Sequence, residues 1–213
     1  MPVVTVIDYG IGNLLSVARA FEYCGANVVL SDDPKQIASA DYLVLPGVGA
    51  FADGMAGLRQ RNLIEPTNEF SSKNRPFLGI CLGMQMMLST SEEFGNHQGL
   101  GLIKGKVTVI PSTDITGAPH KIPHIGWNSL QFPPGISSWE DSILSSTLPG
   151  TSVYFVHSFT AAPDSPLNRL ADCLYNGRVI SAAIRSGNLY GCQFHPEKSG
   201  QSGLKILDIF LKL

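Results

Sequence analysis

No run of basic residues occurs in this chain, and its formal net charge is −2. A surface that grips phosphates needs clustered Lys and Arg, so nucleic acid is not expected as a partner. No apolar stretch approaches the roughly 20 residues that a membrane-spanning helix requires. The opening Met1-Pro2-Val3-Val4 lacks a basic lead-in and passes straight into a strand pattern. No secretory signal is therefore expected, and a cytoplasmic location is. The four cysteines (Cys24, Cys81, Cys173, Cys192) show no metal, redox or disulfide-framework spacing. His120 and His124 stand four apart, but Pro119 and Pro123 argue against a helical metal pair. No metal or cofactor is expected. Internal repeats and low-complexity tails are absent too.

What is present fits one domain over 1–213, with 44% hydrophobic residues to fill a sizeable core. Val3 to Ile7, Val28 to Leu30, Tyr42 to Leu45 and Phe77 to Ile80 read as short buried strands. Between the first two, Leu14 to Cys24 carries helical periodicity, with Leu14, Val17, Ala18 and Phe21 on one face. Uninterrupted apolar strands separated by helices predict an α/β fold with a mostly parallel central sheet covered on both faces. The C-terminal half adds an antiparallel extension: Lys106 to Ile110, Ile125 to Gln131, Ser152 to Phe159, Arg178 to Ile184 and Leu189 to Phe194. Arg185-Ser186-Gly187-Asn188 is a hairpin signal between the last two. Residues 111–124 and 131–150 read as loops, and Ser202 to Leu213 as a final helix. Ligands bind at the carboxyl ends of parallel strands. Asp8 to Asn13, Pro46 to Phe51 and Cys81 all fall at such ends.

Cys81 is the leading candidate nucleophile. It stands between an apolar strand and the helix-like stretch of Leu82, Met86 and Leu88, bracketed by Gly79 and Gly83. A sharp turn there exposes the sulfur, and the free N–H groups of a helix start favour the thiolate. The glycines permit the strained backbone and leave room for a substrate. Near the C-terminus, a strand pattern ends in His195-Pro196-Glu197. Imidazole activates a thiol and protonates a leaving amine, and a carboxylate on the other ring nitrogen holds the tautomer. Together these residues form a candidate Cys-His-Glu triad. The other three cysteines read as core fillers.

With these residues in hand, the chain resembles the triad (class I) glutamine amidotransferases. The blocks Ile-Asp-Tyr-Gly-Ile-Gly-Asn at 7–13, Leu-Pro-Gly-Val-Gly-Ala-Phe at 45–51, His-Ile-Gly-Trp-Asn at 124–128, Tyr-Phe-Val-His-Ser-Phe at 154–159 and Gln-Phe-His-Pro-Glu-Lys-Ser at 193–199 narrow the likeness. They resemble the glutaminase subunits of imidazole glycerol phosphate synthases. The resemblance implies glutamine hydrolysis through a glutamyl thioester at Cys81. It also implies ammonia delivery to a (β/α)8-barrel cyclase subunit in a heterodimer, for histidine biosynthesis. The Leu82 N–H lies just after the nucleophile, where an oxyanion donor belongs, and the family implies the Val48 N–H as the second. Family position assigns glutamine binding to Gln85 and Glu93, with the backbone at Gly49, Ser158 and Phe159. Glu93 reads equally well as a solvated surface charge, and His157 as a structural residue of a strand. Asn13, Trp127, Asn128 and Lys198 are the interface candidates.

Other readings stay open on sequence alone. One is the glutaminase of another ammonia-channelling synthase, and another is a stand-alone γ-glutamyl thiol hydrolase. A nucleotide-binding module built on Gly10-Ile11-Gly12 lacks the third glycine of that fingerprint and a convincing acidic partner.

Overall fold

The computed structural model describes residues 1–213. In its first part, strands Val3–Ile7 (β1), Asn27–Ser31 (β2), Tyr42–Leu45 (β3) and Phe77–Ile80 (β4) are separated by helices. These are Leu14–Tyr23 (α1), Pro34–Ser39 (α2), Phe51–Gln60 (α3) and Ile64–Ser72 (α4). A five-residue helix, Leu82–Met86 (α5), follows β4. Then come strands Leu88–Ser91 (β5), His97–Gln98 (β6), Ile103–Val109 (β7), His124–Ser129 (β8), Ser152–His157 (β9) and Phe159–Pro163 (β10). Arg169–Tyr175 (β11), Arg178–Ser186 (β12), Leu189–Cys192 (β13) and the helix Gly200–Phe210 (α6) complete the chain.

Seven strands form the main sheet in the order β11-β12-β13-β4-β3-β1-β2. The neighbours from β13 through β4, β3 and β1 to β2 are parallel, and the β11-β12-β13 end is antiparallel. Strand β4 lies at the centre with all its residues buried. Alternate side chains serve two cores, as the pleat requires. Leu78 and Ile80 pack with Phe21 of α1 and Phe210 of α6. Phe77 faces the other way, with Phe51 of α3 and Phe70 of α4. This double coverage is why the inner parallel strands β1, β3 and β4 are largely apolar.

Several expectations need correction. β2 is not buried: it is the edge strand, and Val29 and Leu30 are 38% and 41% exposed. The helical pattern after Cys81 stops at Met86, and Leu88 already belongs to a strand. The run from Ser152 to Phe159 is two strands broken at Ser158, because β9 pairs with β8 while β10 pairs with β7. Strand β13 ends at Cys192. Four strands, β10-β7-β5-β6, form a second sheet, and β8 and β9 form a two-stranded ribbon. Residues 132–150 contain no strand or helix, yet they are anchored. Trp139, Ile143 and Leu144 are buried in them, and the Trp139 indole N–H donates to the Leu170 carbonyl at 2.8 Å.

Candidate active site

Parallel pairing of β4 with β13 sets Ile80 opposite Cys192, so the residues that follow each strand emerge side by side at the carboxyl end. One strand supplies Cys81 and the other His195. Cys81 adopts φ 54° and ψ −111°, a conformation that costs a non-glycine residue on the order of 1–3 kcal/mol. The strain is held in place by its neighbours. The Cys81 N–H donates to the Cys192 carbonyl at 2.7 Å, and the Cys81 carbonyl accepts from the Gln85 N–H at 3.2 Å.

The flanking glycines have a different purpose from the one expected. A Cβ on Gly83 would stand 1.8 Å from the Leu45 carbonyl oxygen, and one on Gly79 would stand 2.8 Å from the Met84 backbone. They let α5 sit hard against β3 and β4, and neither makes room for substrate. The sulfur is not on the open surface either. Cys81 is only 7% exposed and lines a cavity of about 550 Å³.

His195 is buried, and its Nδ1 lies 2.8 Å from Glu197 Oε1, within one turn of 3₁₀ helix that starts at Pro196. Its backbone N–H donates to the Tyr154 carbonyl at 2.9 Å, and the Ser199 hydroxyl donates to its carbonyl at 2.7 Å. Nε2, the other ring nitrogen, is buried with no hydrogen-bond partner. Burial disfavours the imidazolium, but Cys81 and Glu197 outweigh it and raise the pKa to about 9. The ring is thus oriented by a carboxylate on one side, with its second nitrogen available beside the cysteine cavity.

Val48, Gly49, Leu82, Gln85, Ser158 and Phe159 all border the same cavity. The N–H groups of Gly47, Val48, Gly49 and Ala50 donate to no backbone carbonyl. Gly49 has φ +96° with open space around it, so this turn needs its glycine for conformation. Gln85 is buried, and its Nε2 donates to Phe159 O at 3.1 Å and to Gln193 Oε1 at 3.0 Å. Glu93 is no solvated charge: it is 8% exposed, lines the cavity and accepts from the Phe51 N–H at 2.7 Å. It thereby caps α3 with a carboxylate, the favourable sign at a helix start.

Beside the cavity, His157 Nδ1 lies 2.8 Å from Phe159 O and its Nε2 3.0 Å from His124 Nδ1. Burial lowers His157 to about 3 and His124 to about 4, so both are neutral near pH 7. His124 stacks between Phe155 and Tyr175, and His120 Nε2 lies against the Pro111 carbonyl. Burial also pushes the Cys173 and Cys192 thiols up, which fits core fillers.

Asn13 and Lys198 are exposed, and Trp127 is 58% exposed on the ribbon. Asn128 is half-buried, with Nδ2 donating to the Leu174 carbonyl at 2.8 Å. Two residues beside the nucleophile escaped the sequence reading. Gln193 Nε2 lies 3.8 Å from Cys81 Sγ, and the Tyr9 hydroxyl donates to the Pro46 carbonyl at 2.8 Å. For Gln193 a signal existed: two residues before His195 in an extended segment, it shares that residue's face.

The glutamine amidotransferase class-I family model matches residues 5–212. The chain is 58% identical, over the full length of both, to imidazole glycerol phosphate synthase subunit HisH 1 of Legionella pneumophila strain Lens. It is 46% identical to subunit HisH of Syntrophotalea carbinolica, over 97% of this chain and 98% of that protein. Among solved structures, a chain of PurLQS from Thermotoga maritima superposes with a TM-score of 0.73 at 19% identity. That match covers 99% of this chain and 98% of the other.

Proposed function

Because the chain belongs to the class-I glutamine amidotransferases, we propose that it is the glutaminase subunit of an imidazole glycerol phosphate synthase, working through a Cys81-His195-Glu197 triad. The observation that carries this reading is the side-by-side emergence of Cys81 and His195 from paired parallel strands, with Glu197 2.8 Å behind the imidazole.

The Cys81 thiolate attacks the side-chain carbonyl carbon of glutamine, and the carbonyl oxygen takes up the negative charge. The N–H groups of Val48 and Leu82, two residues that border the cavity, are its donors in this reading. As the tetrahedral intermediate collapses, the C–N bond breaks and His195 gives its proton to the departing ammonia. Water, deprotonated by His195, then attacks the thioester and releases glutamate and the thiolate. Glu197 keeps the imidazole in register and supports its positive charge. Gln85, Glu93 and the backbone at Gly49, Ser158 and Phe159 hold the amino-acid end of the substrate.

Ammonia set free in water is protonated and lost as a nucleophile, so the product needs a covered route to an acceptor. A (β/α)8-barrel cyclase in a cytoplasmic heterodimer supplies it, docking on Asn13, Trp127, Asn128 and Lys198. In keeping with this setting, no helix of the chain is long and apolar enough to cross a membrane. Glutamate release, measured with the chain alone, with a cyclase subunit, and with cyclase plus its ribonucleotide ligand, tests the reading. Low, higher and highest rates are expected in that order. Full activity of the chain alone would replace this reading with a stand-alone γ-glutamyl hydrolase.

A further inference from the structure

The turn that carries the Val48 N–H is held at both ends and unbonded between them. At its near end, the Tyr9 hydroxyl donates to the Pro46 carbonyl at 2.8 Å. A carbonyl and the following N–H belong to one rigid unit, so this bond fixes the Pro46–Gly47 peptide. At its far end, the Phe51 N–H donates to the Glu93 carboxylate at 2.7 Å, which fixes the Ala50–Phe51 peptide. The three peptides between make no hydrogen bond to backbone or side chain.

Tyr9 is itself immobilised. It is wholly buried, and α3 presses on it through Gly57, where a Cβ would stand 2.7 Å from the Tyr9 carbonyl oxygen. A Cβ on Gly47 would stand 2.6 Å from the Tyr9 hydroxyl, 2.9 Å from Leu82 Cβ and 3.0 Å from the Gly83 nitrogen. The phenol, the start of the turn and the first residues after the nucleophile therefore converge on one point. The aromatic ring alone would fill this space, and what the hydroxyl adds is a fixed direction for the Pro46 carbonyl.

We propose that Tyr9 is a positioning residue for catalysis: its hydroxyl pins the Pro46 carbonyl, so that rotation of the turn begins at the Gly47–Val48 peptide and brings the Val48 N–H to bear on the oxyanion. The proposal rests on the Val48 donor described above. Without the hydroxyl, the Pro46–Gly47 peptide rotates as well, and the Val48 N–H spends less time in the productive direction. Attack by Cys81 on a substrate with no developing oxyanion does not use that donor.

The test is Tyr9→Phe, which keeps the ring and removes only the hydroxyl, assayed in the complex with the cyclase subunit and its ribonucleotide. We expect kcat for glutamate release to fall about 5- to 10-fold, the scale of one neutral hydrogen bond. KM for glutamine and the rate of Cys81 alkylation by iodoacetamide should stay at wild-type values. A changed melting temperature with wild-type kcat would make Tyr9 merely structural and overturn the proposal. Slowed alkylation would overturn it as well, by showing that the nucleophile turn itself had moved. Val48→Pro, run alongside, separates the two levels. If it is slow while Tyr9→Phe turns over normally, the hinge fails and the oxyanion donor stands. If Val48→Pro turns over normally, both fail.

Discussion

The Cys81 N–H donates to the Cys192 carbonyl at 2.7 Å, one step beyond the point where β4 and β13 stop pairing as regular strands. This single bond carries the register of two parallel strands into the turns beyond them. The nucleophile thus sits at a fixed offset from His195, three residues after Cys192. A slip of one residue in either strand would turn that strand's side chain to the opposite face and part the nucleophile from its base.

Cys81→Ala should abolish glutamine-dependent turnover and leave ammonia-dependent synthesis by the complex intact. Cys81→Gly should be equally inactive but more stable than Cys81→Ala by about 1 kcal/mol, because glycine accepts φ 54° without penalty. Thermal or urea melting of the two variants makes the comparison. Equal stabilities would remove the case for strain at the nucleophile.

Val48→Pro takes away one N–H and should lower kcat on the order of 10²- to 10³-fold. Alkylation of Cys81 by iodoacetamide should persist. Val48→Ala should stay active, since the side chain is 40% exposed and only the backbone is needed. An inactive alanine variant would shift the explanation to packing.

His195 is raised from its ordinary 6.5 to about 9, so its charged form is favoured by folding. Stability from this source is complete below pH 6.5 and is lost as pH rises through about 9. Glu197→Gln weakens the cause of the shift. Its melting temperature should therefore fall less across pH 6.5–9 than that of the parent, with a milder loss of activity than in His195→Asn.

His124 and His157 shift the other way, to about 4 and about 3. Their neutral forms are favoured by folding, so their contribution is full above pH 6.5 and drains away as pH falls toward 4 and 3. The loss begins below pH 6.5, before the carboxylates start to titrate. In His157→Gln the slope of stability against pH between 6.5 and 4 should flatten. An unchanged slope would assign acid sensitivity elsewhere.

Trp127→Ala should weaken binding of the cyclase by about 2 kcal/mol or more, as expected of an exposed aromatic anchor. Isothermal titration of the two subunits measures it. Ammonia-dependent activity of the cyclase should be unaffected, because its own site is untouched.

Strands β1, β3 and β4 were legible to their last residue because each is a largely apolar run inside a covered sheet. Cys81 and His195-Pro196-Glu197 stood out because their chemistry is concentrated in short segments, and the pairing of β4 with β13 brings the two segments together. What the chain hid depends on distant partners. Val29 and Leu30 look like core, and only the strand order makes them an edge. Arg169–Tyr175 mixes charge with apolar residues and becomes a strand through pairing with β12. Leu88–Ser91 follows a helix too short to announce its end. Glu93 is ambiguous by itself, since one partner of its carboxylate is the Phe51 N–H, 42 positions away.

The β8–β9 ribbon divides its labour by face. His124, Phe155 and His157 are buried on the inner side, while Ile125 and Trp127 are 53% and 58% exposed on the outer one. The same ribbon gives His195 a backbone anchor through the Tyr154 carbonyl. Alternation therefore uncouples two kinds of inheritance within a dozen residues. On the docking role proposed above, substitutions at Ile125 and Trp127 would alter the partner surface, and those at His124, Phe155 and His157 the buried side of the ribbon. Changes confined to Ile125 and Trp127 would leave that buried side, and the Tyr154 anchor of His195, as they are.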